Sequence, residues 1–298
     1  MRALMKMTMK NKLRRAVLLV LTLALAAGLF GACSEVPQPT APSAEEQTYT
    51  VTLKTASGQA LSKVEVFVYA DETLDDLVTI GKTDTDGVAS FTLSKAQEYT
   101  VVLKNVPGGY PTEVSYPITQ QNTEIVLTAK LIANPDMSKQ KFRLHDVMFD
   151  FSVTDTEGKI YTLSELLQQK KAVVLNFWFV QCNPCKAEFP FLQEAYDQYR
   201  DDIALLALNP FDSTAAIAQY RTAQGLTVPM ASVDEGWVSA LELLYYPTTI
   251  VIDCYGNINL MHVGSVDNVE LFENMFAYYA AEDYVQKNDV TSKDFAVE

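Results

Sequence analysis

The segment from Lys171 to Pro190, KAVVLNFWFVQCNPCKAEFP, joins an apolar run to a Cys-x-x-Cys motif. The run 171–179 is apolar at nearly every position, as in a strand that is buried on both faces of a sheet. A helical pattern begins at the two cysteines and continues to Arg200. The segment therefore predicts an α/β unit in which Cys182 and Cys185 lie at the first turn of a helix.

The position of the two thiols predicts their chemistry. Unpaired backbone N–H groups and the helix dipole favour a thiolate at Cys182, which lowers its pKa and makes it a nucleophile. Cys185 follows one turn later on the same helix, within reach of Cys182. Pro184 suits the first turn, where a missing N–H costs little. We therefore predict Cys182 as the nucleophile and Cys185 as the resolving thiol of a redox couple.

Further elements follow along the chain. Residues 202–208 have the pattern of a second buried strand, and Ser213 to Gln224 that of a helix closed by Gly225. Tyr246-Pro247 precedes another apolar strand, and a last helix is expected from about 268 to 280. We assign residues 145–280 to one α/β domain and 281–298 to an acidic tail, which we expect to be frayed.

Residues 145–280 resemble the TlpA/ResA-type, redoxin-like branch of the thioredoxin superfamily. The resemblance rests on the hairpin 149–166 and on the motif 174–190. It implies a thioredoxin fold and thiol–disulfide exchange by the Cys182–Cys185 pair, with no other cofactor. It also implies a cis-proline at Pro247 facing the cysteines, where the bend exposes the Tyr246 backbone for antiparallel pairing with a bound segment.

Three further positions are interpreted through the same resemblance. Glu188 stands where related proteins carry an acidic residue near the cysteines, so it either tunes their pKa or carries protons, or it is an exposed helix charge. Gln181 replaces the usual Trp, which alters the apolar lip beside the nucleophile. Asn176 stands where thioredoxin itself has a buried acid, so proton transfer must use another group or water.

The resemblance also implies partners. The expected substrates are cysteine-containing envelope proteins, with apocytochrome c as one possibility. The expected source of electrons is a membrane thiol reductant of the CcdA/DsbD type. The direction of electron flow stays open, because reduction potentials of such motifs differ widely.

The N-terminus has the pattern of an export signal. Residues 1–32 join a basic stretch to a short apolar run that ends at Gly31-Ala32. Cys33 follows directly, which resembles a bacterial lipoprotein signal and implies a lipid anchor on Cys33 in the cell membrane. An ordinary cleaved signal and a short uncleaved anchor are the alternatives. Residues 33–47 are expected to form an extended tether.

Residues 48–130 alternate polar and apolar side chains in short runs separated by turn residues. This pattern predicts a two-sheet antiparallel β-sandwich. Two pieces, 58–66 and 81–91, resemble carboxypeptidase-regulatory or Cna-B modules of the Ig-like type. Residues 131–144 are assigned to a linker. The fold class expected for the whole chain is thus an all-β Ig-like sandwich followed by an α/β thioredoxin fold.

Composition excludes some functions. The chain has 37 acidic and 23 basic residues and a net charge of −14, and after removal of residues 1–32 it would carry −20. A nucleic-acid-binding surface needs clustered basic residues, so nucleic acid is not an expected partner. His145 and His262 have no metal-ligand spacing, and no metal is expected. Cys254 is expected at a turn or sheet edge, without an assigned role.

Two other functions remain open from the sequence. One is a peroxiredoxin-like peroxidase, because the hairpin 149–166 is shared with that relative. The other is a cell-envelope binding protein that acts through the Ig-like sandwich of residues 48–130, with the α/β domain as support.

Overall fold

The alternating segments near the N-terminus form two sheets in the computed structural model. It describes residues 45–95, 97–108, 110–111, 114–119, 124–284, 286–287 and 289–296. The signal, Cys33 and nearly all of the tether lie outside these residues. The first sheet has the order β4-β1-β7, with β1 Glu46–Thr55, β4 Val88–Ser94 and β7 Glu124–Leu127. The second has the order β3-β2-β5-β6, with β2 Glu65–Tyr69, β3 Leu77–Lys82, β5 Tyr99–Lys104 and β6 Ser115–Ile118.

The two sheets share one apolar core because alternate side chains point inward. Val51 and Leu53 of β1 and Val66 and Val68 of β2 are all fully buried in the same cluster. Each such side chain contributes roughly 1.5–3 kcal/mol by leaving water. We call this β-rich region, residues 46–127, the β-module.

The expectation of purely antiparallel sheets is wrong at one strand. β7 pairs with β1 in parallel, with Thr52 opposite Glu124 and Thr55 opposite Leu127. Alternation of side chains is the same in both directions, so it carries no information on strand direction. The sequence pattern also missed β6, whose Pro117 is tolerated because, among the described strands, β6 pairs with β5 alone and lies at the sheet edge.

The second half of the chain is built on a mixed sheet with β10 at its centre. Its order is β12-β11-β10-β13-β14, with β10 Ala172–Phe177, β11 Ile203–Asn209, β12 Met230–Ser232, β13 Thr248–Asp253 and β14 Ile258–Val263. β10 is parallel to β11 and antiparallel to β13. A hairpin of β8 Ser152–Thr154 and β9 Ile160–Thr162 precedes this sheet. The predicted thioredoxin-like fold is confirmed here.

Helices cover both faces of this sheet. They are α1 Leu163–Gln169, α2 Asn183–Tyr199, α3 Thr214–Gln224, α4 Glu235–Ala240 and α5 Val269–Ala280. Val174 of β10 belongs to the cluster that includes residues of α2 and α5, whereas Val173 and Leu175 belong to the cluster with α1 and α4. The period of two in a strand thus divides β10 between two helical layers. Ser213 is the N-cap of α3, and Gly225 closes this helix at φ +64°, as predicted.

The β-module contacts the turn between β13 and β14. Tyr110 Oη donates to the carbonyl oxygen of Cys254 at 3.0 Å, and Asn257 Nδ2 donates to that of Gly108 at 2.7 Å. Gln59 Nε2 donates to the carbonyls at the end of α5, those of Ala281 and Glu282. This junction lies at the end of β13 that is remote from Thr248.

The prediction of a frayed tail is wrong for the described residues after α5. Tyr284, Val290 and Phe295 are buried, and a 3-10 helix runs over Ser292–Phe295. The tail is held because its aromatic side chains pack on α5, where Phe295 contacts the rings of Tyr278 and Tyr279. The prediction rested on the acidic composition of the tail, which carries no information on these aromatic contacts.

Candidate active site

The two predicted thiols are joined as a disulfide at the N-terminus of α2. Cys182 is the N-cap residue, and its Sγ accepts the N–H of Cys185 at 3.2 Å. Its own N–H donates to the carbonyl of Phe179 at 3.0 Å. Cys185 is fully buried, whereas Cys182 is 4% exposed. The N-terminal end of a helix stabilises negative charge, so this position favours a thiolate at Cys182 in the reduced pair.

Pro247 lies at the same end of the sheet. The Tyr246–Pro247 peptide bond is cis, as the resemblance implied. Thr248, the first residue of β13, pairs with Phe177, the last residue of β10 before the loop to Cys182. The ring of Tyr246 contacts that of Phe179 in this loop, with centroids 5.5 Å apart. The cis bend and the start of α2 therefore border one site.

Glu188 is buried in this site, which excludes the alternative of an exposed helix charge. Its side chain has no exposed surface, and it lies one turn after Cys185 on the same helix face. Burial raises the pKa of its carboxyl to about 7, while hydrogen bonds from Asn176 and Val266 oppose the rise. A carboxyl with this pKa exchanges protons near neutral pH.

Asn176 holds the Glu188 carboxyl, a contact that the sequence did not predict. Asn176 Nδ2 donates to Glu188 Oε1 at 2.8 Å and to Thr249 Oγ1 at 3.1 Å. The backbone N–H of Val266 donates to Glu188 Oε2 at 3.1 Å. The helix thus brings a buried acid to the strand position where thioredoxin itself has one, and Asn176 of the strand donates a hydrogen bond to it. A polar residue inside an otherwise apolar buried strand was the signal for this contact.

The loop before Cys182 carries aromatic rings that the sequence also missed as site residues. Gln181 is exposed and contributes no apolar surface. Phe179 instead contacts the rings of Phe211 and Tyr246. The available signal was the aromatic residue Phe179 two positions before the polar Gln181 in this loop.

The other candidates lie apart from this site. Cys254 is a free, buried thiol at the β13–β14 turn, and burial raises its pKa well above the usual value. His145 is exposed, and His262 is partly buried with its pKa lowered by burial. Within the described ranges, His, Cys, Asp and Glu side chains form no group of three or more that could hold a metal ion. In that same part of the chain, no helix has the length and apolar character to cross a bilayer. Cys33 lies outside the described residues.

Comparison with known proteins gives several matches to this part of the chain. The profile of the AhpC/TSA family matches residues 144–261, a range that contains both cysteines, Glu188 and Pro247. The thioredoxin-like protein YneN of Bacillus subtilis strain 168 is 30% identical over 129 residues, which cover 42% of this chain and 75% of YneN. The thiol-disulfide oxidoreductase ResA of Bacillus thuringiensis strain Al Hakam is 30% identical over 136 residues, which cover 45% of this chain and 77% of ResA. Among solved structures, a thiol:disulfide interchange protein of the thioredoxin family from Chlorobium tepidum TLS aligns with a TM-score of 0.41 and 20% identity, over 48% of this chain and 98% of that protein.

Proposed function

The chain belongs to the ResA-type thiol-disulfide oxidoreductases, and from this premise we propose that Cys182 is its nucleophile and Cys185 its resolving thiol. When the dithiol reduces a substrate, the Cys182 thiolate attacks one sulfur of the substrate disulfide and releases the other as a thiolate. The Cys185 thiolate then attacks Cys182 Sγ and releases the second substrate sulfur. Two electrons pass to the substrate, which ends as two thiols, and Cys182–Cys185 ends as the disulfide.

Glu188 is the proton acceptor of the second step in this proposal. Cys185 is buried, so its thiol needs a nearby base before it can attack Cys182. Glu188 lies one turn away in the same buried layer and has a pKa near 7. Asn176 positions it, because its amide fixes Oε1 of the carboxyl.

Tyr246 and Pro247 bind the substrate segment in this proposal. The cis bend leaves the Tyr246 backbone beside the site, where an extended chain can pair with it in antiparallel fashion. Such pairing would hold a cysteine of the partner opposite Cys182. The substrate class is therefore a protein segment with an accessible cysteine or disulfide.

We place the protein outside the cytoplasm, attached to the cell membrane by a lipid on Cys33. The support is the pattern of residues 1–33, in which a basic stretch and a short apolar run precede Gly-Ala-Cys. Envelope proteins, including apocytochrome c, are then the substrates, and a membrane reductant of the CcdA/DsbD type restores the dithiol. The β-module is an Ig-like spacer in this arrangement, a role supported by its two sheets around one core.

The observation that carries the proposal is the Cys182–Cys185 disulfide at the N-terminus of α2, with a buried acid one turn away. Reduction of insulin by dithiothreitol tests it, measured as turbidity with and without the purified protein. We expect strong acceleration by the wild type and none by Cys182→Ser. Cys254→Ser is the matched control, since it removes a thiol remote from the site and should keep the acceleration. Equal behaviour of wild type and Cys182→Ser would refute the proposal.

A Cys185→Ser variant identifies the substrates. Without the resolving thiol, the mixed disulfide on Cys182 persists and can be purified with its partner. Recovery of envelope proteins supports the proposal, whereas recovery of none favours the envelope binding protein. Rapid consumption of hydrogen peroxide by the wild type would instead favour the peroxidase.

A further inference from the structure

Three aromatic rings pack together beside the redox pair. The ring centroids of Phe179 and Phe211 are 5.7 Å apart, those of Phe179 and Tyr246 are 5.5 Å apart, and those of Phe211 and Tyr246 are 5.4 Å apart. All three pairs have the edge-to-face geometry that aromatic rings prefer. We call Phe179, Phe211 and Tyr246 the aromatic platform.

The platform is fixed directly to the nucleophile. The carbonyl of Phe179 accepts the N–H of Cys182, so the backbone of the first platform residue is hydrogen-bonded to that of the reactive residue. Tyr246 precedes the cis-proline. The platform therefore joins the loop before Cys182 to the loop before β13, the two loops that border the redox pair.

Polar contacts beneath the rings hold the platform in place before a partner arrives. The carboxylate of Asp212 accepts the N–H of Val180 at 2.7 Å, which ties the Phe211 loop to the Phe179 loop. Asn209, fully buried, accepts the N–H groups of Phe211 and Asp212 and donates to the Asp212 carboxylate. A surface fixed in this way loses little conformational entropy on binding.

The platform is open to a partner. Phe211 is 52% exposed, and the neighbouring Tyr245 and Leu244 are 68% and 79% exposed. Large apolar side chains exposed beside a reactive group are typical of a binding site. Tyr246 Oη is buried without a hydrogen-bond partner among the described residues, so the ring rather than the hydroxyl supplies the contact.

We propose that the aromatic platform binds an apolar side chain next to the partner's reactive cysteine, and so selects partners in which an aromatic or aliphatic residue flanks that cysteine. The proposal rests on the disulfide exchange proposed for Cys182 and adds the substrate class to it. Gln181 is polar and supplies no apolar surface beside the nucleophile, and the aromatic platform supplies that surface instead.

Two peptides test this selection. They carry a single cysteine followed by Phe in one and by Ser in the other, are otherwise identical, and are presented as their symmetrical disulfides. The rate constant for oxidation of the reduced protein is measured under subsaturating conditions by acid quench and mass spectrometry. We expect the Phe peptide to react about tenfold faster, the size of one buried contact with aromatic rings. Equal rates would overturn the platform proposal and leave the exchange intact, whereas no reaction with either peptide would refute the exchange itself.

Substitutions in the protein then show which residues cause the preference for the Phe peptide. Phe211→Ala removes the most exposed ring, and we expect the ratio of the two rate constants to fall to about two or less. Ile80→Ala is the matched control, since Ile80 is 51% exposed but lies on β3 of the β-module. Tyr246→Phe keeps the ring and should keep the ratio. An unchanged ratio in Phe211→Ala would overturn the proposal.

Discussion

The two ends of the central sheet each bury a carboxyl group, and the two groups are held differently. Glu188 lies at the redox end, and Asp253 lies at the other end, where the β-module is attached. Burial raises the pKa of both, to about 7 for Glu188 and to about 6 for Asp253. Glu188 accepts one hydrogen bond on each oxygen, from Asn176 and Val266.

The Asp253 carboxyl accepts four hydrogen bonds, twice as many as that of Glu188. Its Oδ1 receives the backbone N–H groups of Tyr255 and Asn257, each at 3.0 Å. Its Oδ2 receives the hydroxyl of Tyr284 at 3.2 Å and the amide of Gln286 at 2.9 Å. Asp253 therefore organises the turn and the tail that pack around it.

The difference shows that burial alone does not assign a role to a carboxyl. A group with many donors is costly to remove and serves the fold, whereas a group with few donors beside a thiol can gain and lose a proton at low cost. Glu188 fits the second description and Asp253 the first.

The largest expected effect is the loss of stability on replacement of Asp253. Asp253→Ala leaves four donors without an acceptor in a buried site, so we expect the free energy of unfolding to fall by about 4 kcal/mol. Asp253→Asn keeps one acceptor oxygen and should lose less than half of that. Urea unfolding of both variants checks this order. A wild-type midpoint for Asp253→Ala would show that Asp253 does not organise the junction.

A second prediction concerns pH. The pKa of Glu188 is raised above its unfolded value of 4.5, so the folded state binds the proton more tightly between about 4.5 and about 7. The stability from this group is present below pH 4.5 and is lost as pH rises to 7, by about 3 kcal/mol. The Glu188→Gln variant has no titrating group at this position, so its free energy of unfolding does not fall for this reason. Urea unfolding of the two oxidised proteins at pH 4.5 and 7.5 should show the stability difference between them changing by that amount, and a constant difference would contradict the raised pKa.

The exchange rate should also depend on Glu188. With Gln in its place, Cys185 loses its proton acceptor, and we expect the rate of insulin reduction at pH 7 to fall about a hundredfold. The inflection near pH 7 in the pH–rate profile should disappear as well. Glu194→Gln is the control, because Glu194 lies on the same helix but is exposed. Similar profiles for the two variants would remove Glu188 from the mechanism.

The smallest expected effect lies at the junction. Tyr110→Phe removes the hydrogen bond to the Cys254 carbonyl and should lower the free energy of unfolding by about 1 kcal/mol. The exchange rate should not change, because this contact lies at the end of the sheet remote from Cys182. A slower exchange would show that the two ends are coupled.

The sequence predicted those features that depend on local order along the chain. The apolar run before Cys182, the Cys-x-x-Cys at a helix start and the proline before β13 each follow from adjacent residues. The cap of α3 by Ser213 and Gly225 is of the same kind. Such features depend on the backbone geometry of a few consecutive residues, so the residue types at those positions are enough to predict them.

The missed features are contacts between distant segments. Asn176 and Glu188 meet because β10 and α2 pack face to face, and no spacing along the chain reports this contact. Phe211 joins the aromatic platform from the end of β11, and Phe295 returns to α5 from the tail. Tertiary packing determined these pairs, so only the coordinates revealed them.

The direction of β1 determines the end of the β-module at which the described part of the chain begins. Glu46 pairs with Ser94 at the free end of the β-module, whereas Thr55 lies near Gln59 and the junction. At about 3.3 Å per residue, the ten residues of β1 span roughly 33 Å, and the six of β13, which lead from the redox end to the junction, span roughly 20 Å. The described part of the chain therefore begins about one strand length from the junction, so that folded protein rather than flexible chain separates residue 46 from the α/β domain.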